Sequence, residues 1–321
     1  MEEIHYPTRK FSYRGKQFTV PILSKEGFFI EPSVEDNKIK IPSGSPIIKN
    51  LNKVWNLKNF KIPRQPISLG IIPTFEQGQF SLQGIPRTLD MPIKFPGSEF
   101  RVPKEFRQLF PLIQRIANYE RVINKSCYDE YYCYMSVDQA LVKAGVLQRE
   151  APAHVDGFQG ARWNPKVRCN HTYVISDALP TAYYHQPFEL DDLDEARHNF
   201  FWEFNRQVAM TNSEFVWYPA QYELNLMDCY TVHRGVEAEV DTYRTWVRLS
   251  FEVRTFDRLG NTHNPMFNYN WKMVERDIEG LKLVAFDPTC EPSLRVFPHE
   301  GLDGSPNKPG NKTKPNLKPK G

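Results

Sequence analysis

His154-Val155-Asp156 and the distant His233 are the residues whose types and spacing most directly suggest chemistry in this chain. Two imidazoles and one carboxylate make a facial ligand set that leaves three positions of an octahedral ferrous ion open to other ligands. His154 and Asp156 are two apart, so an extended strand would send both side chains from one face toward one ion. Gly157 follows at once and can turn the chain, and His233-Arg234-Gly235 sits near the end of a later run of strand character. H-x-D alone is a weak pattern; its order relative to the turn, the second histidine and a basic strand gives it weight.

That basic strand alternates cleanly. Tyr243, Thr245, Val247, Leu249, Phe251 and Val253 fall on one face, and Arg244, Trp246, Arg248, Ser250, Glu252 and Arg254 on the other. The first face suits packing on helices. The second carries arginines whose planar forks match a carboxylate in bidentate fashion, with Ser250 placed to add a hydroxyl bond.

The elements around these residues follow from pattern and punctuation. Residues 1 to 100 hold 11 prolines and short apolar runs, which favours strands, turns and extended segments over helices. They are expected to form a Pro-rich extension wrapping the core. Pro103 and Pro111 open helical turns, the second carrying Leu112, Ile113, Ile116 and Ala117 as a stripe that can pack on a sheet. Tyr128 to Val137 reads as a strand, and further strands are expected over 145–156, 167–176, 182–188, 215–218, 222–233 and 243–256. A helix capped by Asp191 or Asp192 and carrying Leu193, Ala196, Phe200, Phe204 and Val208 interrupts them. The expected fold is mainly β with flanking helices around an antiparallel barrel of the jelly-roll or cupin type, spanning residues 101–300.

Composition sets the boundaries. The 321 residues include no stretch of the roughly 18 uninterrupted apolar residues a membrane span needs, and no basic-then-apolar leader opens the chain. The expectation is a cytoplasmic protein. Five cysteines, odd in number and never spaced C-x-x-C, argue against a disulfide framework or zinc ribbon. The net charge of +3 comes from five lysines after Asp303, without which the remainder is −2. The segment 301–321 is expected to be a disordered basic tail. Nothing in the body suggests a nucleic-acid groove, and oligomeric state is not legible.

Across residues 145 to 256 the order H-x-D, distant H, then R-x-S on a late strand resembles the Fe(II)/2-oxoglutarate-dependent dioxygenase superfamily. The resemblance implies a double-stranded β-helix in which His154, Asp156 and His233 ligate Fe(II), and Arg248 binds the far carboxylate of the cosubstrate 2-oxoglutarate with help from Ser250. The interval from His233 to Arg248 is longer than in plant-type members, where Tyr243 would stand, so Arg244 is the substitute. The resemblance further implies oxidative decarboxylation to succinate and CO2, with O2 consumed and an unactivated C–H of a small molecule, amino acid or peptide hydroxylated. The carboxylate at Asp156 favours hydroxylation or desaturation over halogenation.

Tyr173 or Asn170, on the strand after the ligand pair, could contact cosubstrate, although packing explains them as well. His171, His185, His198 and His263 show no partner pattern, and Trp163 suits either a pocket roof or a core. Two rival readings use the same residues: a metal-dependent hydrolase, which needs a base near the ion and no arginine, and a cupin-like binding protein without catalysis.

Overall fold

A computed structural model of the chain describes residues 8–13, 16–21, 26–33, 39–148, 152–156, 167–191, 193 and 200–271. The expected basic tail, Gly157, Trp163, Ala196, His198 and Cys290 lie outside the described residues. The protein is mainly β, with one large antiparallel sheet and few helices. In chain order the strands are β1 (Thr8–Tyr13), β2 (Lys16–Pro21), β3 (Gly27–Ile30), β4 (Ile67–Ile71), β5 (Thr88–Lys94), β6 (Phe100–Pro103), β7 (Tyr132–Val142), β8 (His171–Ser176), β9 (Ala182–Tyr184), β10 (Val216–Trp217), β11 (Glu223–Asp228), β12 (His233–Arg234) and β13 (Thr242–Glu252). Six of them form the large sheet in the order β4-β11-β8-β13-β7-β5, and β10-β9-β12 form a smaller one.

The alternation in 243–254 is realised in β13, which pairs with β7 along its whole length and with β8 along half of it. Thr245, Val247, Leu249 and Phe251 are fully buried. Val247, Leu249 and Phe251 meet the stripe of helix α3 (Phe110–Ile123), which follows the short α1 (Pro46–Asn50) and α2 (Pro73–Glu76) and whose Leu112, Ile113, Ile116 and Ala117 are equally buried. Pro111 sits in the first turn of that helix, where its missing N–H costs nothing. A second apolar cluster joins Phe60, Phe188, Phe200, Phe204 and Tyr230 around helix α5 (Phe201–Val208); of the helix expected from Asp191 or Asp192 onward, the described residues Asp191 and Leu193 are not helical and only this C-terminal part is. A third, small cluster of Val174, Tyr183 and Met227 with Trp217 and Trp246 packs the small sheet on the large one.

The first hundred residues contribute to the sheet itself: β4 and β5 are its two edge strands, and Ile47, Leu69, Phe75, Met91 and Ile93 are core residues. Two expected strands are corrected. Residues Lys125–Glu130 form helix α4, because the Asn124 side chain accepts from the Cys127 amide and caps them, and the strand starts only at Tyr132. The described residues of 145–156 form a loop held by two isolated bridges, Ala144 to Ala238 and His154 to His233. Gly145 at φ 74° turns the chain out of strand geometry there. Cys127, Cys133, Cys169 and Cys229 are free and buried. Among the described residues no helix is long and apolar enough to cross a membrane.

Candidate metal centre

His154, Asp156 and His233 converge, with one ligand atom from each lying within 4.8 Å of the others. Backbone pairing brings the histidines together. The His154 amide donates to the His233 carbonyl and the His233 amide to the His154 carbonyl, both at 2.9 Å, which sets the imidazole centroids 4.5 Å apart. His233 itself starts β12, anchored to Tyr183 of β9.

Each imidazole is oriented by a carbonyl two residues before it. His154 Nδ1 lies 2.7 Å from the Pro152 oxygen and His233 Nδ1 2.9 Å from the Thr231 oxygen. A carbonyl only accepts, so both Nδ1 atoms carry the proton and both Nε2 lone pairs are free to coordinate. Such outer bonds fix the tautomer and ring plane of metal-binding histidines. Asp156 Oδ1 accepts from Arg248 Nη1 at 3.2 Å and stands 4.0 Å from His233 Nε2, while Asp156 Oδ2 is buried and has no hydrogen-bond partner. An orphaned carboxylate oxygen beside two lone-pair nitrogens fits a cation as its missing partner.

The electrostatics agree with that fit. Burial, helped by neighbouring His233, lowers the proton affinity of His154 to a pKa of about 4 and keeps the imidazole neutral, as coordination would require. Burial works against the charge on Asp156, yet Arg248 and the two histidines outweigh it and hold the carboxyl below its usual range.

The His154 value carries a prediction. An unfolded histidine titrates near 6.5 and the folded one near 4, so between these values the unfolded chain binds more protons. The contribution is therefore fully present above pH 6.5 and is lost as pH falls toward 4, on the order of 3 kcal/mol for the metal-free protein. Urea denaturation at pH 7 and pH 4.5 should show a smaller acid loss for His154→Ala than for wild type. Equal losses would refute the assignment.

A cavity of about 130 Å³ adjoins the triad, lined also by Asp138, Gln148, Thr181, Arg244, Trp246 and Arg248. A larger cavity of about 910 Å³, between α3 and residues 39–42, contains none of the triad. Of the residues singled out from sequence, Arg244 and Arg248 line the triad cavity from one face of β13. Arg244 donates to the Ala178 carbonyl at 3.0 Å and to Gln148 Oε1 at 2.5 Å. Arg248 is held between two carboxylates, Asp90 at 2.9 Å and Asp156 at 3.2 Å. Ser250 does not line the cavity; it is buried further along β13 within 3.4 Å of the Thr172 hydroxyl. Tyr173 is not brought to the site either. It points to the helix side of the sheet, where its hydroxyl donates to Glu120 of α3, which also meets His171 Nε2 at 2.8 Å. Asn170 donates to the Asp156 carbonyl at 3.3 Å and does not line the cavity. Sequence reading missed Asp90, Asp138, Gln148 and Thr181, which stand in no pattern of their own; Gln148 is only six residues before His154 but nothing in its neighbours marks it.

No protein-family model and no curated protein sequence matches the chain. Among solved structures, it is similar to EvdO2 from Micromonospora carbonacea var. aurantiaca at 14% identity over 44% of this chain and 60% of that one, with a TM-score of 0.32. The same protein complexed with 2-oxoglutarate gives 12% identity over 58% and 76% of the two chains, with a TM-score of 0.33. AviO1 from Streptomyces viridochromogenes Tue57 gives 13% identity over 64% and 93%, with a TM-score of 0.31. The chain thus spans about three fifths of the first EvdO2 chain, and likenesses of this size assign no function.

Proposed function

We propose that this protein is an Fe(II)- and 2-oxoglutarate-dependent oxygenase that hydroxylates a C–H of a small molecule or peptide segment. The observation that carries the reading is the triad: two tautomer-fixed histidines and a carboxylate with an unpartnered buried oxygen, meeting at the wall of an arginine-lined cavity. His154 Nε2, Asp156 Oδ2 and His233 Nε2 would hold the ion. Bound ferrous iron supplies one-electron O2 chemistry that side chains cannot. The packing of the two sheets across Val174, Tyr183 and Trp246 is consistent with a double-stranded β-helix.

Arg244 is the better anchor for the far carboxylate of 2-oxoglutarate. Arg248 is committed to Asp156 and Asp90, and spending it on the cosubstrate would strip a buried carboxylate of its counter-ion. Arg244 lies four residues earlier on the same face of the strand and lines the cavity that the triad borders. Its bonds to a carbonyl and an amide oxygen orient the guanidinium. Trp246, between the two arginines, and Val174 supply apolar wall that limits water.

The hydrolase reading needs a base beside the metal. Besides Asp156, the cavity's carboxylate is Asp138, and it is in a 2.7 Å ion pair with Arg87, which suits a base poorly.

The test is anaerobic titration with Fe(II) and 2-oxoglutarate, followed by exposure to O2 and assay of succinate. Arg244→Met should raise the KM for 2-oxoglutarate on the order of 10- to 100-fold, as expected for losing charge-assisted hydrogen bonds, with Fe(II) affinity unchanged. Absence of succinate would overturn the oxygenase reading, and an unchanged KM would overturn the role of Arg244.

A further inference from the structure

We infer that Asp90, delivered by a bulge in β5, is a positioning residue that holds Arg248 so that Asp156 keeps one oxygen for the metal. This rests on the metal-centre reading above.

The bulge is explicit in the register. Thr88 pairs with Val137 and Met91 with Met135, so Leu89 and Asp90 together oppose Ser136 alone. An extra residue bends a strand and re-aims its side chains. Asp90 accordingly has φ 44°, in the left-handed region where non-glycine residues are strained and aspartate is among the most tolerant. Two devices hold it there. Thr262 bonds Leu89 from both sides, its amide donating to the Leu89 carbonyl at 2.8 Å and its hydroxyl accepting from the Leu89 amide at 3.1 Å. The Ser136 hydroxyl accepts from the Asp90 amide at 2.9 Å and donates to Asp90 Oδ1 at 3.0 Å.

That same Oδ1 receives Arg248 Nη2 at 2.9 Å, and Arg248 Nη1 reaches Asp156 Oδ1 at 3.2 Å. Ser136 lies directly opposite Arg248 in the β7–β13 register, so Ser136, Asp90 and Arg248 of the relay stand on neighbouring strands and Asp156 on the loop that meets them. The geometry divides the guanidinium between two carboxylates. Each takes one nitrogen, and Asp156 Oδ2 is left without a partner. A guanidinium freed from Asp90 would close on Asp156 with both nitrogens, the geometry arginine and carboxylate favour. Both Asp156 oxygens would then be occupied and the metal would have to compete for them.

Asp90→Gly removes the carboxylate while relieving the backbone, since glycine accepts this φ. We expect Co(II) or Fe(II) affinity, measured anaerobically by calorimetry, to fall 10- to 100-fold, the usual scale for losing an outer-shell partner. The melting temperature should fall by only a few degrees, because the relieved backbone offsets part of what losing the Arg248 ion pair costs. Asp90→Asn, which keeps an acceptor and tolerates the backbone, should recover part of the affinity. In an Arg248→Met background Asp90→Gly should change affinity no further, because the two act in series. Wild-type affinity in Asp90→Gly, or an equal loss with Arg248 absent, overturns the inference and leaves the metal centre standing. If wild type binds neither ion, or His154→Ala binds as tightly as wild type, the metal-centre reading fails and takes this inference with it. Should Asp90→Gly not fold, Ser136→Ala tests the same relay, with a weaker affinity loss expected and none overturning it.

Discussion

Replacing His233 with alanine should lower Fe(II) affinity by more than roughly 100-fold, beyond what outer-shell losses cause, and abolish succinate formation from 2-oxoglutarate, while shifting the melting temperature by only a few degrees. The asymmetry between function and stability follows from how the histidine is held. Its amide and carbonyl make the two 2.9 Å bonds to His154 that fix the loop carrying the ligand pair, and alanine keeps both. The lost imidazole gives up one bond to the Thr231 carbonyl and ring contacts with His154 and Tyr183 at 4.5 and 5.8 Å, a cost of about 1–2 kcal/mol. A three-ligand site reduced to two has no such reserve. Asp156→Ala should differ, because it also leaves Arg248 with a single carboxylate, and its melting temperature should fall further than that of His233→Ala. Calorimetric Fe(II) titration and thermal melts of the two variants check this. His233→Ala with wild-type affinity would remove it from the ligand set.

How much of this was legible in the sequence depended on whether a residue's neighbours reported its surroundings. β13 was readable because a central strand with one helix-packed face shows its period of two directly in Val247, Leu249 and Phe251. β8 was not. All six of its residues are buried, so nothing in His171-Thr172-Tyr173-Val174 distinguishes the face that meets the cavity from the face that meets α3. Tyr173 was therefore placed at the site although Val174 is the residue that lines it. The convergence of His154, Asp156 and His233 was legible from type and order, but not its means, since a backbone bridge across a loop leaves no periodic trace. The choice between Arg244 and Arg248 lay outside the motif altogether. The proposed choice rests on the bond between Arg248 and Asp90, on a strand far back in the chain and placed by a bulge that Leu89-Asp90-Met91 does not announce.

Asp228→Ala should destabilise the protein by about 3–5 kcal/mol, the cost of stranding a buried charge, or roughly 5–15 °C in melting temperature for a chain of this size. Asp228 and Arg64 are 1% and 2% exposed and bonded at 3.1 Å, and Arg64 also lies over the Tyr230 ring. Asp228 does a second job with its other oxygen, which accepts from the Tyr230 amide at 3.1 Å and the Thr231 hydroxyl at 2.9 Å. That turn presents the Thr231 carbonyl to His233 Nδ1. The two jobs separate in a double variant. Arg64→Met with Asp228→Leu should recover most of the melting temperature, because a well-packed apolar pair removes the stranded charge. It should not recover Fe(II) affinity, on the order of 10-fold weaker than wild type, because the two side-chain bonds from Asp228 to the turn that orients the imidazole are lost. Full recovery of both would mean that the buried pair serves stability alone. Recovery of neither would point to a core too tightly fitted around the guanidinium to repack.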